Sequence, residues 1–255
     1  MRRSLDIAAP YILIAVLLAI WEVACHALDL PSYFLPPPSE VVAEAVKEYG
    51  ILLESAWNTL VMALFALLVA SLIACTVAVS VALNQTMEKA VRPLAVALQV
   101  TPVVAIAPQV VIWAGLDHPD RAIIALATIV AFFPIFSGAL TGLKSSDPDL
   151  ERLFDLYGAT KWQRLWRLRI PSALPFVLEG HKVAGGLALI GAVVAEFVAG
   201  SGGAQGLAWR ILEASNRLQT AKSFAAVIIL AIMGTLLYAL LSYAEKAILK
   251  RLRGR

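Results

Sequence analysis

Charged residues are scarce in this sequence: they make up 15% of its 255 residues, while 60% of the residues are hydrophobic. A soluble domain of this size carries about 25% charged and about 45–50% apolar residues. The mean hydropathy of +0.79 is correspondingly high. The hydrophobic excess lies in long runs, which the core of a water-soluble domain does not need. The composition therefore excludes an ordinary soluble domain and indicates a protein whose solvent is a lipid bilayer.

Cysteine and histidine are also rare, with two and three residues respectively. Cys25 and Cys75 lie in apolar runs, without a CxxC pair or a metal-ligand spacing nearby. We therefore expect small buried hydrophobic side chains rather than a redox or metal site. His26, His118 and His181 are scattered along the chain and do not predict a metal site.

Six apolar runs are each close to the length of about 20 residues that a membrane-spanning helix needs. They lie at about 8–25, 57–83, 91–116, 121–143, 176–199 and 224–243. The predicted fold class is therefore all-α, a polytopic membrane protein with six transmembrane helices. The first run follows Met1-Arg2-Arg3 like a signal peptide, but it is nearly a full span and no small-x-small cleavage site precedes Leu28. We expect a retained first helix.

Lys and Arg are unevenly distributed between the loops that these spans define. Fifteen of the 21 lie in one set, which includes both termini, and five lie in the alternate set. Because loops rich in Lys and Arg stay in the cytoplasm, we expect both termini there. The stretch between the first two spans then lies outside, where Ser39 can cap an amphipathic surface helix. The predicted organisation is an N-terminal part, residues 1–56, and a core with five transmembrane helices, residues 57–250.

The segment 147–175 follows the fourth span and contains two short helical patterns. Apolar residues recur at helical spacing in each: Leu150, Leu153, Phe154 and Tyr157, then Trp162, Leu165 and Trp166. Asp147 or Pro148 can open the first helix, and Gly158 can end it. Thr160 can cap the second helix, and Pro171 can stop it. The sequence predicts two amphipathic helices joined at a glycine.

Two interpretations of this helix pair follow from its residues. It can rest on the lipid surface, with its tryptophans among the headgroups and its arginines in water. It can also be a docking element whose exposed aromatic and aliphatic stripe fits a groove on a partner protein.

The segment resembles the EAA loop of permease subunits of ABC importers, in which a Glu-Ala-Ala triplet precedes a glycine and then an apolar-x-apolar-Pro motif. Gly158 matches the glycine, and Leu168-x-Ile170-Pro171 matches the closing motif. The triplet positions read Arg152-Leu153-Phe154, and Glu151 lies one residue early. This difference from the motif affects the polar contacts expected with an ATPase, and it leaves the predicted helix–glycine–helix geometry unchanged.

The likeness extends over about residues 55–250. The stretches that carry it are 101–108 with Ile112, Trp113 and Gly115, Phe133-Pro134, Gly158-Ala-Thr160, Ala173-Leu-Pro175, and Ala195-Glu196 before a glycine cluster. Together they resemble the nitrate, sulfonate and taurine importer permeases. The chain is identified as a member of that family, which implies the type I ABC importer (MetI-like) permease fold.

The resemblance implies a permease of a bacterial inner membrane, without catalysis of its own, that couples to separate cytoplasmic ATP-binding subunits. ATP and Mg would be bound by those subunits, and no cofactor by this chain. A periplasmic or lipid-anchored substrate-binding protein would deliver a small anionic or heterocyclic solute, such as a sulfonate, taurine, nitrate or pyrimidine-type precursor. Two copies would form a homodimer around one path, and nucleic acid would not be a partner. The ATPase-coupling residues would be Leu153, Phe154, Tyr157, Gly158, Ala159, Trp162, Leu165 and Pro171 of the 147–175 segment, hereafter the coupling loop.

The third apolar run contains two prolines, Pro102 and Pro108. They can produce an ordinary kink, or they can free backbone carbonyls that line a passage. Gln99, Thr101 and Gln109 lie in the same run and favour a polar lining. Glu196, near the end of the fifth span, faces either a cavity or partner, or simply water. The candidate translocation path therefore comprises Gln99, Thr101, Pro102, Gln109 and Glu196.

Two other functions compete with an ATP-driven importer. An ion-coupled secondary transporter usually has broken helices in two repeated halves, whereas this sequence has one such run. An intramembrane serine protease would need a Gly-x-Ser-Gly motif, which is absent from the sequence. No histidine follows His181 that could pair with a serine such as Ser201. The glycine cluster 200–206 lacks GxxxxGK[ST] and does not predict nucleotide binding.

Overall fold

A computed structural model describes residues 2–115, 117–199 and 205–253 of the chain, and for 2–8, 85, 252 and 253 it describes the backbone alone. Within these residues the chain forms helices and no strand. The helices are α1 (Arg2–Ala27), α2 (Pro38–Lys47), α3 (Tyr49–Leu83), α4 (Gln85–Val100), α5 (Val103–Ala114), α6 (Pro119–Leu143), α7 (Pro148–Leu156), α8 (Lys161–Arg164), α9 (Ile170–Ala199), α10 (Leu207–Asn216) and α11 (Thr220–Arg253). A π-helical turn, Leu165–Arg169, joins α8 to α9. The all-α prediction is confirmed.

Five stretches of helix in the described residues are individually long and apolar enough to cross a membrane. The third predicted span is divided into α4 and α5, which are bent by 101° and bring the number to six if the pair counts as one span. The break lies at Thr101 and Pro102, both of which have extended backbone. Proline donates no backbone hydrogen bond, which explains a break at Pro102. Pro108 remains inside α5 and does not break it.

The chain divides into two compact units. Unit 1 contains Met1–Ala56 and Gln205–Ala231, and unit 2 contains Trp57–Ala204 and Ile232–Arg255. These units are defined by compactness alone, so the division into residues 1–56 and 57–250 stays a prediction. Cys25, in unit 1, is buried as expected, and Cys75, in unit 2, is half-buried.

Polar and aromatic contacts stabilise unit 1. The rings of Trp21 and Phe224 lie 5.6 Å apart. Lys222 forms an ion pair with Glu48 at 3.1 Å, and both side chains are largely buried. These contacts attach α11 to α1 and to the end of α2, which are distant in sequence.

The amphipathic helix expected after the first span is present as α2, but the prediction that Ser39 caps it is wrong. Pro37 is the N-cap residue, and Pro38 is the first helical residue. A proline fits there because the first helical N–H has no partner within the helix. Ser39 instead donates its hydroxyl hydrogen to Glu22 at 2.7 Å, and its backbone N–H donates to the same carboxylate at 3.0 Å.

Helices α6 and α9 are packed closely in unit 2 through small residues. A methyl group at Gly180 of α9 would lie 2.7 Å from the carbonyl oxygen of Pro134, and one at Gly138 of α6 would lie 2.6 Å from that of Phe176. Such backbone proximity is typical of membrane helix pairs, where small residues permit extensive van der Waals contact. This pair connects the two ends of the coupling loop to the unit's core.

Candidate functional site

The coupling loop begins with α7, whose N-terminus is capped as the sequence predicts. The Asp147 carboxylate accepts a hydrogen bond from the backbone N–H of Asp149 at 2.8 Å, and Pro148 is the first helical residue. Asp149 and Glu151 lie in the first turn, where the helix dipole stabilises negative charge. None of the side chains of α7 is fully buried.

Gly158 ends α7 with a left-handed backbone, at φ +62°. Its N–H donates to the carbonyl of Asp155 at 3.0 Å, and the N–H of Ala159 donates to that of Phe154 at 2.9 Å. These two bonds are the Schellman arrangement, which commonly requires glycine at this position. A Cβ at Gly158 would meet no atom within 4 Å. The glycine is therefore required by backbone conformation and not by crowding.

The second helix begins as predicted, with a capping box at Thr160. Its hydroxyl accepts from the N–H of Gln163 at 3.3 Å, and the Gln163 side chain accepts from the N–H of Thr160 at 2.8 Å. The prediction that Pro171 stops this helix is wrong, because α8, the π-helical turn and α9 form one apolar helical stretch, Lys161–Ala199. The wider turn precedes the proline, and the Ser172 hydroxyl donates to the carbonyl of Leu168 at 2.8 Å. The helical stretch therefore continues past Pro171.

The two helices expose a set of apolar side chains. The exposed fractions are 44% for Leu153, 83% for Tyr157, 61% for Trp162 and 65% for Trp166. Phe154 and Ala159 are half-buried, and Gly158 and Pro171 are exposed. Leu165 departs from the predicted stripe: its side chain is 1% exposed and belongs to the buried cluster at the core of unit 2. Leu165 therefore anchors the coupling loop and does not present a surface.

An ion-pair cluster around Glu151 holds the two helices together. Arg169 donates to the Glu151 carboxylate at 2.9 and 3.4 Å, Ser146 donates at 2.7 Å, and Arg164 lies 3.3 Å away. Arg164 also pairs with Asp155. Burial raises the pKa of Glu151, but the hydrogen bonds from Arg169 and Ser146 and the positive charges outweigh it and leave that pKa below its ordinary value.

Sequence reasoning identified Glu151 only as a residue one position out of register with a motif. The signal that was available is the pairing of charges: α7 carries acidic residues, and the second helix carries arginines at positions 164 and 169. Two helices joined by a short turn bring such charges together. Which carboxylate meets which arginine depends on the angle between the helices, and that is set by the tertiary structure.

The candidate path residues around the break between α4 and α5 are mostly exposed. Gln99, Pro102 and Gln109 have exposed side chains, and Thr101 is half-buried. The Thr101 hydroxyl donates to the carbonyl of Ala97 at 2.7 Å and so satisfies an acceptor in the last turn of α4. The structure therefore places three of these four side chains at the surface, and the polar lining of a passage stays a prediction.

Glu196 has a different environment from the other candidate path residues. Its side chain is 3% exposed and accepts a hydrogen bond from the Thr59 hydroxyl at 2.7 Å. Both residues belong to unit 2, and the contact joins α9 to α3. The Glu196 side chain is therefore enclosed by the chain.

The polar residues at the start of the fifth span form ion pairs and hydrogen bonds within unit 2. Lys182 pairs with Glu179, and with Glu245 of α11 at 3.0 Å. His181 shares hydrogen bonds with the Ser71 hydroxyl and the Val177 carbonyl, both at 2.7 Å. Most of the glycine cluster, residues 200–204, lies outside the described residues.

Comparison with known proteins gives this geometry a family context. The model of the family "Binding-protein-dependent transport system inner membrane component" matches residues 66–254. The formylaminopyrimidine transport permease protein ThiX of Halalkalibacterium halodurans is 33% identical over 250 residues, which are 98% of each chain. The riboflavin transport system permease protein RibX of Chloroflexus aurantiacus is 33% identical over 237 residues, which are 92% of this chain and 87% of that one.

A solved structure shares the fold. The crystal structure of an amino acid ABC transporter with histidines aligns with a TM-score of 0.64 and 15% sequence identity, covering 81% of this chain and 96% of that chain. At this identity the likeness concerns the fold, which is that of type I ABC importer permeases.

Proposed function

Since the chain belongs to the binding-protein-dependent transport system inner membrane component family and is a multi-pass permease subunit of an ABC importer, we propose that its coupling loop is the surface on which a cytoplasmic ATP-binding subunit docks. The exposed stripe of α7 and α8 carries this proposal. Tyr157 and Trp162 leave most of their area in contact with solvent, and large aromatic side chains at a surface are typical of the central contacts of protein interfaces.

The proposed coupling residues do not all act in the same way. Leu153, Phe154, Tyr157 and Trp162 supply apolar contact area, and Ala159 and Pro171 border it. Gly158 sets the angle between the two helices through its left-handed backbone. Leu165 joins the loop to the membrane core, because it is buried there. Force on the stripe is thereby transmitted to α9.

The proposal includes an orientation and a set of partners. Both termini and the coupling loop lie in the cytoplasm, where ATP-binding subunits hold ATP and Mg and perform the hydrolysis. This chain binds no nucleotide and catalyses no reaction. A second copy of the chain completes the translocation path as a homodimer, and a substrate-binding protein docks on the outer face. Nucleic acid is not a partner.

We place the translocation path at the break between α4 and α5. The exposed Gln99, Pro102 and Gln109 and the half-buried Thr101 support this, because irregular backbone in a membrane protein lines a cavity or a partner rather than lipid. Glu196 belongs to the predicted path set, but its enclosed position supports an indirect role, in which it holds α9 against α3 behind the path surface.

The proposed solute is a small heterocycle of the pyrimidine type. This rests on the names of the two relatives above, a formylaminopyrimidine and a riboflavin permease, each 33% identical to this chain. Both named solutes contain nitrogen heterocycles. Small anions such as a sulfonate, taurine or nitrate are the alternative class from the sequence resemblance.

The alternative of an ion-coupled secondary transporter is disfavoured, because members of this chain's family belong to binding-protein-dependent transport systems.

The direct test of docking on the coupling loop is to co-express the chain with the ATP-binding subunit and binding protein encoded beside it. The amount of ATP-binding subunit that co-purifies with the chain is then measured. We expect Tyr157→Ala and Trp162→Ala to lower recovery of the ATP-binding subunit several-fold. Trp113→Ala, on α5, is the matched control, because Trp113 is 81% exposed but lies outside the coupling loop. Unchanged recovery in both coupling-loop variants would support the lipid-resting interpretation instead.

The solute is tested separately in lipid vesicles that contain the assembled complex. The binding protein is supplied with a pyrimidine precursor, a sulfonate or nitrate, and ATP hydrolysis is measured for each. Stimulation by the pyrimidine precursor alone is expected. Stimulation by an anion alone would replace the proposed solute class and leave the permease assignment intact.

A further inference from the structure

An ion pair connects the end of α6 to the beginning of α4 in unit 2. Lys144 is the C-cap residue of α6, and its ammonium group pairs with the carboxylate of Glu88 in the first turn of α4. The side chains are 46% and 20% exposed. This pair is separated by 56 residues in sequence, and sequence analysis did not identify it.

The short connection between α6 and α7, which contains Lys144 and Ser146, also contacts the coupling loop. Ser146, two residues after Lys144, donates its hydroxyl hydrogen to Glu151 of α7 at 2.7 Å, and Glu151 in turn accepts from Arg169 at 2.9 Å. A cavity of about 490 Å³ is lined by both groups of residues, including Glu88, Lys144, Glu151 and Arg169. The polar contacts of the coupling loop and the ion pair to α4 are therefore neighbours around one cavity.

Helix α4 is suited to respond to a displacement at this point. Its first turn is held by Asn84, whose side chain accepts from the N–H groups of Thr86 at 2.9 Å and Met87 at 3.4 Å. At its other end the backbone is extended at Thr101 and Pro102, before the 101° bend into α5. A helix with a firmly capped start and an irregular end can rotate as a unit about the break.

We propose that Glu88 and Lys144 are positioning residues that link the coupling loop to α4, so that movement of the loop on ATP binding moves the broken third span. This rests on the proposed function, since it assumes that an ATP-binding subunit moves the loop. The Lys144 side chain pulls on the first turn of α4, where the helix dipole also favours the Glu88 carboxylate. The consequence reaches the break at Thr101 and Pro102, where we place the path.

The experiment follows α4 directly. Val100, at the end of α4 and 72% exposed, is replaced by cysteine in a Cys25→Ala, Cys75→Ala background of the full chain, assembled with its ATP-binding subunits in vesicles. The rate of labelling by a maleimide is measured without nucleotide and after trapping with ATP and vanadate. We expect trapping to change this rate several-fold. In Glu88→Gln and in Lys144→Met the change should shrink at least fivefold, while ATP hydrolysis stays within twofold.

A double variant separates a linked pair from two independent effects. If the pair is the link, Glu88→Gln with Lys144→Met loses no more of the labelling change than either single variant. Glu44→Gln, which removes the ion pair with Lys47 in α2, is the control and should leave the change intact. Full nucleotide-dependent labelling in the single variants, or losses that multiply in the double variant, would overturn the inference. If the complex that retains both Glu88 and Lys144 shows neither ATP hydrolysis nor a labelling change, the proposed function fails together with this inference.

Discussion

Arg169 donates hydrogen bonds to both carboxylate oxygens of Glu151, 18 residues earlier in the chain, at 2.9 and 3.4 Å. The contact joins α7 to the π-helical turn that leads into the fifth span. Arginine is suited to this geometry because its planar guanidinium presents paired donors to a carboxylate. The angle of the coupling loop relative to α9 therefore depends on a charged contact as well as on Gly158.

We predict that Glu151→Gln weakens docking of the ATP-binding subunit. The neutral amide retains the size of the side chain but loses the charge that pairs with Arg164 and Arg169, so α7 is held less firmly. Recovery of the ATP-binding subunit by co-purification should fall several-fold. Asp149→Asn is the control, since its ion pair with Arg152 is exposed, and pairs of that kind contribute about 0–1 kcal/mol. Equal recovery from the two variants would contradict the role of Glu151.

Acidification should release α7 at the same contact. The pKa of Glu151 is lowered in the folded chain, and an unperturbed glutamate has a pKa of about 4.3. Its contribution to stability is therefore fully present above about pH 4.3 and is lost as the pH falls through the lower folded-state value. The rate of pepsin cleavage within the coupling loop should therefore rise as the pH is lowered from about 4 to about 2. This rise should exceed the change in rate that the pH dependence of pepsin itself produces. In Glu151→Gln this extra rise should be absent.

Gly158 should tolerate asparagine better than valine. Its φ of +62° costs an L-residue about 1–2 kcal/mol, and asparagine adopts this region more readily than a β-branched residue. No atom lies within 4 Å of the added Cβ, so steric crowding does not contribute. We expect Gly158→Val to reduce recovery of the ATP-binding subunit and Gly158→Asn to retain most of it. A valine variant that assembles normally would show that the left-handed turn is dispensable.

The contact of α6 with α9 should be sensitive to a single methyl group. Gly180→Ala would place a carbon 2.7 Å from the carbonyl oxygen of Pro134, whereas Gly186→Ala on the same helix meets nothing within 4 Å. Overpacking of this kind costs about 1–3 kcal/mol. The thermal midpoint in detergent should fall for Gly180→Ala and remain unchanged or rise slightly for Gly186→Ala. The same midpoint for both would mean that the helices separate readily.

The buried contact between Thr59 and Glu196 should matter for stability. Thr59→Val removes the hydroxyl that donates at 2.7 Å to a carboxylate that is 3% exposed. A hydrogen bond to a charged group contributes about 1.5–3 kcal/mol to stability. Thr59→Ser keeps the hydroxyl and should retain the thermal midpoint, while valine should lower it. If both variants unfold at the same temperature, the hydrogen bond contributes little to holding α3 and α9 together.

Local features of the coupling loop were predictable from sequence because they depend on a few adjacent residues. Asp147 as a cap, the left-handed turn at Gly158 and the capping box at Thr160 are of this kind. Pro171 and Leu165 were not predictable in the same way. The helix continues past Pro171 because a π-helical turn precedes it, and Leu165 is buried because the core of unit 2 receives it.

The sequence by itself determined that this protein lies in a lipid bilayer, that its fold is all-α and that it belongs to its family. Long apolar runs and the order of the motifs can be read from the sequence without a structure. It also offered two prolines, Pro102 and Pro108, as possible interruptions of the third span, but only the structure decided that the break lies at Thr101 and Pro102 while Pro108 stays inside α5. Only the tertiary structure decided which charges pair around the coupling loop. Glu151 with Arg169, and Glu88 with Lys144, are brought together by helix packing over separations of 18 and 56 residues, which no local pattern records.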